Sequence, residues 1–189
     1  VTPRTLSRLK LLGIGAIAVA PVLGSYLLYW FWSPDSYTNY GDLMQPRPAP
    51  AVAMQSYSGE AFAFAQLKGR WTFVVLDSGQ CDAACEQKLW KIRQVRQAQG
   101  KEVGRVERVF LLEDGQVPRD QIRADYAGTW FLRANEAQLA EAFPAPGSPR
   151  NHIYLVDPLG NVILRFPQDA DPKRMIKDVA RLLKYSRVG

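Results

Sequence analysis

Histidine occurs once and cysteine twice in 189 residues, and that scarcity removes whole classes of chemistry. A lone histidine leaves no paired-histidine metal motif. With no glycine-rich phosphate loop and no serine–histidine–aspartate set either, a general hydrolase or a haem enzyme is a poor fit. Two cysteines cannot build a disulfide framework. A one-sided charge is also missing. Of the 24 basic residues, three (Arg4, Arg8 and Lys10) precede the first long apolar run, so 21 face 18 acidic residues beyond it. That is a mixed surface, and no nucleic-acid partner is expected from it. No internal repeat is present.

What the chain does have is one apolar run, Leu11 to Trp32, "LLGIGAIAVAPVLGSYLLYWFW", 22 residues without a charge. Such a run crosses ~30 Å of hydrocarbon as a helix and exceeds the ~7–15 apolar residues of a secretory signal core. It predicts a retained transmembrane helix over 11–32; the "AVA" at Ala18 to Ala20 is the one feature that would suit a cleaved signal instead. The basic residues before it and Asp35 as the first charge after it predict a cytoplasmic N-terminus over 1–10. Everything beyond would lie in the periplasm or an equivalent external compartment, making a single-pass inner (cytoplasmic) membrane protein. Tyr26, Tyr29, Trp30, Phe31 and Trp32 crowd the far end as aromatic rings do at a membrane interface.

From Ser33 to Ser58 prolines replace apolar periodicity, and Pro46, Pro48 and Pro50 predict an extended tether. Residues 59–189 read as one folded α/β domain. "RWTFVVLD" (Arg70 to Asp77) suits a buried strand. Apolar residues then recur at helical spacing from Asp82 to about Gln99, where Gly100 ends them. "RVERVFLL" (Arg105 to Leu112) is the next strand, "VPRDQIRADYA" and "NEAQLAEAF" are short helices, and "HIYLVD" and "NVILRF" form a hairpin across "PLG". The final segment "DPKRMIKDVARLLKY" carries Ile176, Val179, Leu182 and Leu183 on one helical face. This order, with "AFAFAQL" as an extra strand pair, is thioredoxin-like: a central mixed sheet flanked by helices, behind one N-terminal transmembrane helix.

Cys81 and Cys85 stand four apart where the first strand turns into its helix, which puts both sulfurs on one face with Leu89, Ile92 and Val95. Gly79 lets the chain turn sharply. A helix N-terminus favours thiolate, which both metal ligation and disulfide exchange need. Three readings follow: a two-sulfur grip on a soft ion such as Cu(I), a redox couple, or two small apolar residues or a passive bridge on the core stripe.

"LKGRW" (Leu67 to Trp71), the apolar strand, C-x-x-x-C opening a helix, "RVERVFLLEDGQVPRD" and "YLVDPLGNVILRF" together resemble the SCO/SenC family of thioredoxin-fold, membrane-anchored cytochrome c oxidase assembly proteins. The resemblance covers about residues 56–186. It implies that Cys81 and Cys85, with a distant histidine, bind copper for delivery to the oxidase, or that the cysteines keep its copper-site thiols reduced. The implied partners are cytochrome c oxidase or its assembly factors, and the membrane through Leu11 to Trp32. The chain departs from the family pattern twice. Asp82-Ala83-Ala84 lacks the usual proline between the cysteines, and Pro149 stands where the family histidine is expected. His152 is then either the third metal donor or a histidine at a strand start, on the opposite face by period-two alternation. Two rival expectations stand beside the assembly factor: a degenerate thioredoxin-fold scaffold or accessory subunit of a membrane respiratory complex, and a general thiol-disulfide oxidoreductase. For the scaffold, Gly13, Gly15, Ala16 and Ala20 offer small residues for helix packing.

Overall fold

A computed structural model describes residues 3–31, 39–134, 139, 141–186 and 188, in two compact units divided between Thr38 and Asn39. The first unit is helix α1 (Pro3–Phe31). Its segment Leu12–Phe31, with a mean hydropathy of 1.8, is long and apolar enough to cross a membrane. Pro21 lies inside it, and Trp32 falls outside the described residues.

The second unit is built on a sheet. Its strands are β1 (Asp42–Pro48), β2 (Met54–Ser56), β3 (Ala61–Phe62), β4 (Trp71–Asp77), β5 (Val106–Leu112), β6 (Trp130–Arg133), β7 (His152–Val156) and β8 (Asn161–Pro167). The helices are α2 (Ala83–Gln97), α3 (Asp120–Asp125) and α4 (Pro172–Tyr185). The strand order is β1-β8-β7-β4-β5-β6-β2-β3. β4, β5 and β6 run parallel and the other pairs antiparallel, a mixed thioredoxin-like sheet.

β4 and β5 read as nearly unbroken apolar runs because both faces of the sheet are covered. Phe73, Val75, Phe110, Leu112, Ile153 and Leu155 pack with α2, α3 and α4 through Leu89, Ile92, Ile122, Met175, Val179 and Leu183. Val74, Leu76, Val109, Leu111, Tyr154 and Val156 turn the other way, against Phe62, Phe64, Leu67, Leu139 and Phe143. The alternation follows from the period of two in a strand, so each residue's face is fixed by its parity.

Two expectations need correcting. The predicted tether over 33–58 lies partly outside the described residues (33–38), but Asp42–Pro48 and Met54–Ser56 are strands of the sheet. The prolines are tolerated because β1, among the described residues, is an edge strand paired with β8 alone, with a register break between Leu43 and Arg47 that takes up Pro46. "AFAFAQL" gives the short β3 and then a 3-10 turn, Phe64–Leu67, rather than a strand pair. Of the predicted helix "NEAQLAEAF", residues 135–138 and 140 lie outside the described residues. The start of the domain is tied to its last helix: buried Asp178 of α4 accepts from the amides of Tyr40 (2.8 Å) and Gly41 (3.0 Å).

Candidate functional site

β4 ends at Asp77, and Ser78 to Gln80 carry the chain into α2. Gly79 is required there. A Cβ would overlap the carbonyl oxygen of Gln116, because the loop after β5 lies directly on the backbone of this turn. Asp114 fastens that loop down: its Oδ2 accepts from Ser78 Oγ at 2.5 Å, and its Oδ1 from the amides of Gly79 (3.1 Å) and Gln116 (3.0 Å). Burial opposes ionisation of Asp114, but these donors outweigh it and hold its pKa below the usual value.

Cys81 follows with φ +40°, the left-handed region that residues other than glycine seldom enter, at a cost of about 1–3 kcal/mol. Asp82 then caps α2, its carboxylate accepting from the amide of Cys85 at 2.9 Å. Cys81 and Cys85 are joined by a disulfide across a Cα separation of 5.1 Å. Both are part of the core, at 1% and 0% exposure. Arg119 closes the outer side: its Nη2 donates to the Cys81 carbonyl at 2.9 Å, and the same guanidinium pairs with Glu86.

One turn on from Cys85, Lys88 is only 1% exposed. Its ammonium donates to Asp77 Oδ2 (2.6 Å), the Leu76 carbonyl (3.3 Å) and the Arg150 carbonyl (2.5 Å), which satisfies all three protons. Burial lowers its pKa, while the hydrogen bond and charge of Asp77 and the charges of Glu113 and Asp82 oppose that shift. Arg150 is in turn bonded to Glu113 at 2.5 Å. The sequence signal for this pair was thin: an acid ending a strand and a lysine three residues after a helix-facing cysteine, a residue type almost always exposed.

The structure brings Cys81 and Cys85 together and does not bring His152 to them. His152 opens β7 with the parity of Tyr154 and Val156, whose side chains belong to the sheet face opposite the one packed on the cysteines. Its ring lies 6.1 Å from that of Tyr154, and its Nδ1 is 3.3 Å from the Ser148 carbonyl. Burial lowers its pKa, and the Ser148 contact opposes this only in part. Pro149, which offers no donor, begins the 3-10 turn Pro149–Asn151 that supplies the Arg150 carbonyl to Lys88. Met44 on β1 and Met54 on β2 sit on strands well apart in the sheet order. Among the described residues no group of three or more histidine, cysteine, aspartate or glutamate side chains is arranged to hold a metal ion. Once reduced, the two sulfurs would be two donors for a soft ion, and among the described residues no histidine, aspartate or glutamate joins them in a set of three.

A family model described as "Transmembrane-like, thioredoxin-like, C-terminal domain" matches residues 71–186. No curated relative matches the chain. Among solved structures, the chain is similar to copper-bound ScoI of Bradyrhizobium japonicum, with 19% identity, a TM-score of 0.54, and 74% of this chain and 99% of that one covered. It is similar to the thioredoxin domain of a thiol-disulfide oxidoreductase from Bacteroides vulgatus, with 17% identity, a TM-score of 0.55, and 75% and 99% covered. It is also similar to BsSco, a member of the Sco family of cytochrome c oxidase assembly proteins in which a disulfide switch was identified. There the identity is 16%, the TM-score 0.57, and the coverage 80% and 99%. At these identities the likeness is one of fold.

Proposed function

The chain belongs to the family of transmembrane-like, thioredoxin-like C-terminal domains, and from that premise we propose that it is a membrane-anchored thiol–disulfide factor of the Sco type. In this reading it assists cytochrome c oxidase assembly by keeping its copper-site thiols reduced through Cys81 and Cys85. The observation that carries it is the cysteine pair itself: a closed disulfide at the strand-to-helix turn of a thioredoxin-like domain, with no histidine or carboxylate among the described residues making a three-donor set with it. Both Sco-type roles use this pair, and the donor set favours the redox one.

In the reduced protein the Cys81 thiolate attacks one sulfur of the target disulfide. A mixed disulfide forms and the target's other sulfur leaves as a thiolate. The Cys85 thiolate then attacks Cys81 Sγ, forming the internal disulfide and releasing the target's second thiolate, which takes up a proton. The target gains two electrons, the protein loses two, and an external dithiol restores it. Asp82 and the α2 N-terminus supply the local field, the helix end favouring the thiolates. Because both cysteines are buried, exchange requires the turn that holds them to open.

Copper delivery is the second reading, favoured by the fold shared with copper-bound ScoI. Here copper is cargo held by two thiolates. One experiment separates the readings: Cu(I) titration of the reduced full chain against a chelator, alongside the reduction potential of the pair. The redox reading expects weak copper binding, no change on His152→Ala, and a potential above about −300 mV. A potential below that makes the bridge a structural staple. Sub-nanomolar Cu(I) binding lost in Cys81→Ser/Cys85→Ser moves the assignment to copper transfer.

A further inference from the structure

The half of α2 remote from the disulfide borders a cleft of about 390 Å³, lined by Arg93, Arg96, Gln97, Arg108, Asp125 and Ala127. Arg108 lies on β5 and is 4% exposed. One of its nitrogens, Nη2, donates to the Ala127 carbonyl at 2.7 Å, but Nε and Nη1 are buried with no partner among the described residues. Arg93 donates through Nη1 to the Asp125 carbonyl at 2.7 Å, and its Nε is likewise buried without a partner among the described residues. Arg96 spends Nε on the Val106 carbonyl at 2.5 Å. Nearby carboxylates are engaged elsewhere: both oxygens of Asp125 accept from Gln121 Nε2, and Glu107 is paired with Arg70. Burial and the charges of Arg96 and Arg93 push Arg108 down to about 10, which reports how poorly its charge is compensated.

Buried guanidinium N–H groups are normally bonded, and a run of orphaned ones beside like charges is a cost that a bound anion removes. We propose that this cleft binds a dianionic oxyanion of the phosphate class, taken by a free N–H of Arg108 with Arg93 and Arg96 flanking it. Three guanidiniums against the one carboxylate lining the cleft leave two positive charges, which a phosphate dianion matches and a single carboxylate does not. Arg108 pairs in register with Phe73, four residues back along β4 from Asp77, so the anion would sit roughly 13 Å from the disulfide turn and take no part in its chemistry. The ligand is either free phosphate or a soluble ester, or the phosphomonoester headgroup of a lipid.

The test is a titration of the 15N-labelled full chain in uncharged sugar-headgroup micelles, following the arginine side-chain Nε–H signals. Inorganic phosphate should move the Arg108 and Arg93 signals saturably at millimolar concentration or below. Chloride at equal ionic strength should not; equal responses to the two salts would overturn the proposal. Arg93→Gln/Arg96→Gln leaves the buried arginine in place and should weaken phosphate at least tenfold while the backbone amide spectrum is retained; an unchanged phosphate response there would also overturn it. Glycerol phosphate in micelles, compared with phosphatidic acid in nanodiscs free of phosphate, tells a soluble ligand from a lipid headgroup, and either positive arm supports the site.

Discussion

The two ends of α2 handle buried positive charge in opposite ways. At the N-terminal end Lys88 is sealed in the core, yet each of its protons has an acceptor, and Asp77 neutralises it at 2.6 Å. Toward the other end Arg108 is almost as deeply buried, and two of its nitrogens find no partner among the described residues. Burial alone therefore does not mark a site. Unmet hydrogen-bonding capacity does, and by that measure the disulfide end is a completed structure and the arginine end an incomplete one.

The contrast is open to direct attack. Lys88→Met should have the largest effect, a loss of about 3 kcal/mol, because it strands Asp77 beside the core. Arg108→Met should change stability by less than about 1 kcal/mol in phosphate-free buffer, since it removes orphaned donors along with one bond. Urea unfolding of the full chain reads both, and equal losses would erase the distinction. Reducing the disulfide should cost about 2 kcal/mol, as expected for a loop this short, and should leave the fold intact; a collapse of near-ultraviolet dichroism on reduction would make the bridge indispensable rather than exchangeable. Asp82→Ala removes the cap on Cys85 and should cost about 1 kcal/mol. It should also speed alkylation of the reduced cysteines. The smallest effect belongs to His152. Its folded pKa lies below its unfolded value because burial disfavours the cation, so its contribution is present above about pH 6.5 and is lost as pH falls below that value. Replacing it with glutamine should flatten the acid side of the stability–pH curve, and an unchanged slope would show that the ring is not desolvated.

Much of this was legible in the sequence. β4, α2, the β7–β8 hairpin and α4 follow from apolar periodicity and punctuation. The expectation that both cysteines share one helical face needs correcting: Cys85 lies in α2, but Cys81 precedes the Asp82 cap with φ +40°, and the two sulfurs meet across that turn. Even the face of His152 was available from strand parity. β1 and β2 were hidden because edge strands carry little apolar alternation, and prolines read as tether unless the pairing partner is known. Lys88 and Arg108 were hidden for another reason: both look like ordinary surface charge in a string, and only three-dimensional packing reveals that one is satisfied and the other is not.

The clamp of Asp178 on the amides of Tyr40 and Gly41 has a mechanical consequence. Arg174 stacks on the Tyr40 ring at 3.8 Å, and the Tyr40 hydroxyl accepts from the amide of Asp171, so the entry of the chain is fastened to α4 at several points. Tension arriving along the backbone at residue 39 is borne there and by the β1–β8 ladder, two strands removed from β4 in the sheet order. A pull on the chain at that point is met by α4 and the edge ladder before it reaches the cysteine turn.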